Sequence, residues 1–345
     1  MRAMISKAVE RIGPGIALLV LLPLHAGAAD PAWLPLRNHN PFLQIYGLPV
    51  FQSAEIKPAG KASWRFDIDT ANHADAGSFA GENAILDGET YFLNLSLRRS
   101  FTDRLELSLE VPFIGHEGGF LDSPIENWHQ LWGLSNTKRS GPRNELRYLY
   151  ESSLPSRFEM TASGWGIGDV RLAAAVPLGR SFLAEGRSIT LRAGIKLPTG
   201  KTERLLGSGG TDFSLGLYAT DTRLLAKHNI SLSAVGGVLQ PGKGDVLPEI
   251  QKDSVGFGGL AANWQLARRF GLIAEIYGQT AYYDSELDEI GGNSVQMAIG
   301  GSFELANAGT SLTIALIEDL FDNATTDFAL HVSLHGEFRG GASGS

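Results

Sequence analysis

The chain has 345 residues, a net charge of −8 and no cysteine. Without cysteine, disulfides are excluded as a source of stability. The acidic balance, 37 Asp and Glu against 29 Lys and Arg, excludes a surface built for nucleic acid, which needs clustered cations.

Residues 1–29 read as a cleaved export signal. Arg2, Lys7 and Arg11 form a positive leading region, residues 12–24 an apolar stretch, and Ala26-Gly27-Ala28 a small-residue cleavage site. The apolar stretch is far shorter than the ~20 residues a spanning helix needs. No cysteine comes after it, so a lipoprotein anchor is excluded. Residues 30–60 show no clean alternation, and Asn40-Pro41-Phe42 breaks regular structure. This segment is expected on the periplasmic side, either as a plug inside the strands that start at residue 61 or along their rim.

From residue 61 the apolar period is two. Trp64, Phe66 and Ile68 alternate with Arg65, Asp67 and Asp69. Tyr91, Leu93, Leu95 and Leu97 are followed, after a short turn near 100, by Leu105, Leu107, Leu109 and Val111. The unit recurs at Leu172 and Val176 with Leu191 and Ile195, and at Leu215 and Leu217 with Ile230 and Leu232. It recurs again at Leu260 and Trp264 with Leu272 and Ile276, and at Met297 and Ile299 with Ile314 and Leu316. The last strand carries Leu330, Val332, Leu334 and the terminal aromatic Phe338. Strict alternation places one class of side chain on each face of a strand. The glycine-rich stretch 254–266 slips in phase and suggests a bulge.

Short turns near 100, 182, 224, 268 and 307 alternate with long segments at 71–87, 114–167, 199–211, 240–253, 282–292 and 319–325. Short turns at one end and long loops at the other are the pattern of outer-membrane barrels. The expected fold is all-β: a transmembrane antiparallel β-barrel of about 12 strands over 61–338, followed by a tail at 339–345. A soluble sandwich also alternates, but strands of ~10–12 residues exceed the usual ~5–6 of a soluble sheet. The polar faces supply the expected lumen-lining residues: Arg65, Asp67, Asp69, Arg98, Arg104, Glu106, Glu110, Asp169, Arg171, Arg192, Lys196, Glu275 and Glu337. Their charges nearly cancel, which points to pairing across a narrow lumen that passes small neutral or weakly polar solutes.

Within 114–167, Asp122 or Ser123 can cap a helix with Pro124 in its first turn. Ile125, Trp128, Leu131 and Trp132 continue it at helical spacing. This short helix in a long extracellular loop offers Trp128, His129 and Trp132 as a constriction. Alternatively it lies at the membrane surface or caps the outer loops.

On the final strand His331, Ser333, His335 and Glu337 face one way. Ser333 beside His331 or His335 is the candidate nucleophile of a membrane-embedded lipid hydrolase. The plainer reading makes all of them ordinary lumen-facing residues. The histidine pair lacks a clear third ligand for a metal, and no motif calls for a cofactor.

Two blocks carry a family likeness. Asn38-His39-Asn40-Pro41-Phe42-Leu43-Gln44-Ile45-Tyr46-Gly47-Leu48-Pro49 and Gly119-Phe120-Leu121-Asp122-Ser123-Pro124-Ile125-Glu126-Asn127-Trp128-His129 resemble an uncharacterised proteobacterial family, domain of unknown function 3187. The likeness covers the mature chain, implies an outer-membrane barrel and transfers no catalytic residue. A shorter pattern, Gly166-Ile167-Gly168-Asp169-Val170-Arg171-Leu172 with Leu197-Pro198-Thr199-Gly200, is similar to outer-membrane channels linked to breakdown of aromatic compounds. The expected function is a porin-like outer-membrane channel for small solutes. The alternatives are the hydrolase and a closed structural or envelope-biogenesis barrel. Expected partners are outer-membrane lipid, the barrel-insertion machinery and small solutes, with no nucleic acid.

Overall fold

The computed structural model describes residues 33–119, 145–153, 157–179, 185–305, 309–320, 324–326 and 328–338. The alternating segments form β1 (Ala62–Phe79), β2 (Glu82–Thr102), β3 (Leu105–Glu117), β4 (Arg147–Glu151), β5 (Arg157–Met160), β6 (Gly164–Ile167), β7 (Arg171–Pro177) and β8 (Arg187–Lys196). They continue as β9 (Asp212–Leu225), β10 (Ile230–Gln240), β11 (Val255–Ala267), β12 (Phe270–Gln279), β13 (Ser294–Leu305), β14 (Thr310–Asp319) and β15 (Phe328–Glu337).

Neighbours pair antiparallel, and β15 returns to β1 with Leu334 opposite Phe66, which closes the sheet on itself. β6 and β7 are two halves of one wall strand. β6 pairs β3 at Phe113–His116, and β7 pairs it at Glu106–Glu110. β4 and β5 form a hairpin on the far end of β2, outside the ring. The closed antiparallel barrel therefore has twelve strands.

The alternation sorts side chains as a barrel in lipid requires. On β15, Ala329, His331 and Ser333 are buried while Leu330 and Leu334 are exposed. On β1, Asp67 and Asp69 are buried while Ile68 is exposed. Leu95, Leu107, Leu172, Leu215, Leu260, Ile276, Ile299 and Ile314 continue this apolar outer belt around the wall. Rings mark both edges. Trp165 stacks on Tyr91 and Phe113 at 5.4 and 5.9 Å, and Phe270 meets Phe303 at 4.7 Å at the short-turn end. From Tyr91 to Phe101, β2 covers about ten residues, the length of a tilted spanning strand.

One expected connection is a strand pair instead. Residues 71–87 are not a loop. β1 and β2 stay in register up to Phe79 opposite Glu82, joined by Ala80-Gly81 with φ of 51° and 85°. Positive φ at both central residues suits a tight hairpin turn. Here the inward face turns apolar as well, with Ala71, Ala84 and Leu86 buried beside Tyr148 and Tyr150, so the sequence loses the alternation that marks a strand. The bulge expected in 254–266 falls at the end of that stretch, between Gln265 and Ala267 against β12, while the glycines themselves hold regular register with both neighbours.

The wall strand breaks at Gly168–Val170, and chemistry explains the repair. Pro112 opposite Gly168 accepts its N–H at 2.9 Å but has no N–H to return. The Thr199 hydroxyl donates to the Gly168 carbonyl at 2.7 Å and accepts from the Val170 N–H at 2.9 Å. Thr199→Val is expected to lower stability by about 1 kcal/mol, because it removes both bonds at a partly exposed site. Urea unfolding in lipid vesicles measures this, and an unchanged midpoint would show that the break needs no patch.

The predicted helix at 124–132, the signal at 1–29 and the tail at 339–345 lie outside the described residues. The described α-helix is a single turn, Asp288–Gly291, between β12 and β13.

Candidate functional site

The interior is where sequence-distant residues meet. Residues 33–56 run through it, with nearly every side chain from Trp33 to Phe51 buried. Local chemistry sets the path. The Asn38 carboxamide oxygen accepts the Asn40 N–H at 2.9 Å, and that of Asn40 accepts the Phe42 N–H at 3.0 Å. Leu43 and Gln44 then donate back to the Asn40 carbonyl, both at 2.9 Å, which makes a tight turn around Pro41.

An irregular buried chain must find partners for its main-chain polar groups, and the wall supplies them. Leu34 N–H donates to Glu275 at 2.6 Å, Gly47 N–H to Asp212 at 2.7 Å and Ala54 N–H to Thr220 at 3.0 Å. In return, Arg171 donates to the Tyr46 carbonyl at 3.0 Å, Arg192 to Ser53 at 3.0 Å and Lys196 to Ile45 at 3.2 Å. Tyr277 donates to the Pro49 carbonyl and Thr190 to that of Ala54. These partners come from β7, β8, β9 and β12, so the segment is held on several sides. Asn38 and Asn40 also tie it to the end loops, through the carbonyls of Ala324 at 2.7 Å and Glu289 at 2.9 Å. Tyr46 stacks on Tyr282 at 4.7 Å and bonds the Tyr283 hydroxyl at 3.0 Å.

Charged groups gather in two clusters. In the first, Arg37 of the segment lies 3.5 Å from Asp67, 3.8 Å from Asp69 and 3.5 Å from Glu110. Arg65 adds a contact to Asp67 at 3.1 Å. In the second, Lys196 lies 2.6 Å from Asp169 and 3.3 Å from Asp212 and also donates to Ser208. Asp169 further accepts the N–H of Gly200 at 2.8 Å and of Ser208 at 3.1 Å, which pins the 199–211 loop.

A protein family described as being of unknown function, DUF3187, matches residues 15–338. The chain belongs to this family. No curated protein matches it. Among solved structures it is similar to the COG4313 outer membrane channel from Pseudomonas putida F1, with a TM-score of 0.55 at 14% identity, covering 83% of this chain and 98% of that one. It is also similar to the NanC porin, with a TM-score of 0.45 at 8% identity over 80% of this chain and 100% of that one. For the Ralstonia pickettii toluene transporter TbuX the TM-score is 0.37 at 10% identity, over 83% and 91% of the two chains. At 14% identity the likeness to the first of these is one of fold alone.

In this DUF3187 member the residues singled out by alternation divide by depth. Asp67, Asp69, Glu106, Asp169, Arg192, Lys196 and Glu275 are buried in the interior, with Glu106 and Arg192 paired at 3.0 Å. Arg65, Arg98, Glu110 and Arg171 are half-buried there. Glu337 is exposed at the rim, where Lys57 bonds it. Arg104 does not line the interior. It occupies the exposed two-residue turn between β2 and β3, one step beyond the last wall position of its face. Trp128, His129 and Trp132 lie outside the described residues.

The final-strand group is brought together differently from a catalytic relay. His331 Nδ1 meets Asp69 at 2.5 Å, Ser333 is buried opposite Asp67, and His335 stands opposite Arg65. The carboxylate, not the serine, engages the histidine. Among the described residues no group of three or more His, Asp or Glu is placed to hold a metal ion.

Alternation missed Arg37, His39 and Asp212. Asp212 shares the phase of Ser214 and Tyr218 and was readable from it. Arg37 and His39 sit where no period exists to assign a face. His39 packs edge-on to Phe92 at 5.6 Å with its Nε2 3.5 Å from Asp69. Burial pushes its pKa down to about 4, against the pull of Asp69 and with help from Arg37 and His331. A released His39 titrates near 6.5, so the docked state binds fewer protons between these values. The contribution of His39 to docking is therefore complete above pH 6.5 and is lost as pH falls toward 4, by up to about 3 kcal/mol. Protease protection of residues 33–56 is expected to fade over that window, and His39→Gln to flatten the profile. Protection unchanged from pH 7 to pH 4 would contradict this.

Proposed function

We propose that this barrel resides in the outer membrane and passes small solutes, with residues 33–56 as a plug that keeps the lumen narrow at rest. One observation carries the reading. The main chain of the segment is held by wall side chains rather than by a β-ladder, so it is a separate unit inside an otherwise closed wall. The outer apolar belt supports a membrane setting, and the polar interior supports passage of hydrophilic solutes. The fold likeness to an outer-membrane channel fits both. In this reading residues 1–29 direct export and are removed, and Asp67, Glu110, Arg171, Arg192, Lys196 and Glu275 serve the lumen. Liposome swelling with solutes of graded size tests it. Swelling is expected for small solutes and not for oligosaccharides, whereas no swelling with any solute, with or without the plug, would leave a structural barrel.

A further inference from the structure

The strand register places inward side chains in rows around the wall. One row reads Glu110, Arg171, Lys196 and Asp212 across β3, β7, β8 and β9. The next reads Ser108, Ala173, Gly194 and Ser214 on the same strands. The third brings Glu106 and Arg192, with Ala175 between them. A row of small side chains is thus bracketed by two rows that each present both signs of charge.

Small side chains leave space. A cavity of about 50 Å³ lies over the small row, between the wall and the segment at Gly47–Val50. Glu110, Arg171 and Lys196 reach it from above. Arg171 keeps a buried Nε–H without a hydrogen-bond partner. Where the segment meets β11 and β12 the fit is closed: Phe51 packs on Tyr277 at 6.5 Å, and a Cβ on Gly259 would come within 3.3 Å of the Phe51 ring.

We infer that solutes pass the plug along this furrow on β3, β7, β8 and β9, and that its charge rows select small zwitterions, of the size of glycine, over neutral molecules of equal bulk. A carboxylate finds Arg171 and then Arg192, while an ammonium finds Glu110 and then Glu106, so both ends of a zwitterion are met at each step. A solute of one charge sign would face repulsion from half of each row.

This selectivity rests on the channel reading, and one experiment separates the two. Proteoliposomes holding the full mature chain are assayed for swelling with glycine and with acetamide. The wild type is expected to favour glycine at least fivefold. Ala173→Phe, which fills the small row, is expected to cut glycine entry about tenfold, and Ser214→Leu serves as a second filling variant. The double variant Glu110→Gln with Arg171→Gln is expected to bring the glycine-to-acetamide ratio near one. Heat-modifiable migration in gels certifies that each variant is folded. Glycine entry unchanged in both folded filling variants overturns the route, and a wild type that favours acetamide overturns the selectivity, while the channel itself stands in either case. A wild type that admits neither solute defeats both readings.

Discussion

Lys196→Met is expected to lower the stability of the barrel by roughly 3–5 kcal/mol. Lys196 is fully buried between Asp169 and Asp212, at 2.6 and 3.3 Å, and no solvent is there to screen the carboxylates once the ammonium is gone. Those carboxylates also hold the N–H groups of Gly200, Ser208, Gly47 and Gly242. Loss of the cation therefore loosens the 199–211 and 240–253 connections and the segment together. The urea midpoint in lipid vesicles should fall markedly. Adding Asp169→Asn and Asp212→Asn should recover part of the loss, since neutral amides tolerate burial without a cation. A midpoint equal to wild type would show that the triad contributes nothing.

Arg37→Met is expected to release the segment and leave the barrel intact. Arg37 is the cation that residues 33–56 bring to Asp67, Asp69 and Glu110, and its guanidinium lies over the Phe92 ring at 5.1 Å. Removing one partner of a buried charge cluster costs about 3 kcal/mol or more, because the others stay buried. Arg65 and His331 compensate Asp67 and Asp69 in part, so the wall survives while docking suffers. Protease should then cut within 33–56 at least tenfold faster than in the wild type, with gel migration of the folded barrel unchanged. Equal cleavage rates would mean that docking rests on the main-chain bonds and the tyrosine stack instead.

The contrast between these two variants reflects what the sequence can express. Alternation exposes a wall strand when one face meets lipid and the other does not, as at Leu93–Leu97 or Leu330–Leu334. It falls silent where that difference ends. Residues 71–87 extend past the apolar belt and read as a loop although they are strand. Glu106, Asp169, Arg192, Lys196 and Glu275 were legible as interior groups because charge within a strand must face away from lipid. Their partners were not. Leu34 and Glu275 are 241 residues apart, and nothing local in either announces the other. The segment around Asn40-Pro41-Phe42 was legible as a break, and plug or rim stayed open, since an aperiodic chain takes its shape from the wall that satisfies it. His331 and Ser333 show the reverse error. Strand phase put them on one face correctly, yet the register with β1 gives the histidine to Asp69.

Planar-bilayer recording reads directly whether residues 33–56 narrow the lumen. The full mature chain and a version lacking residues 31–56 are inserted under the same salt. A small conductance is expected for the full chain, rising about tenfold or more once the segment is gone. Equal conductances, large or small, would contradict the assignment of residues 33–56 as the element that narrows the lumen.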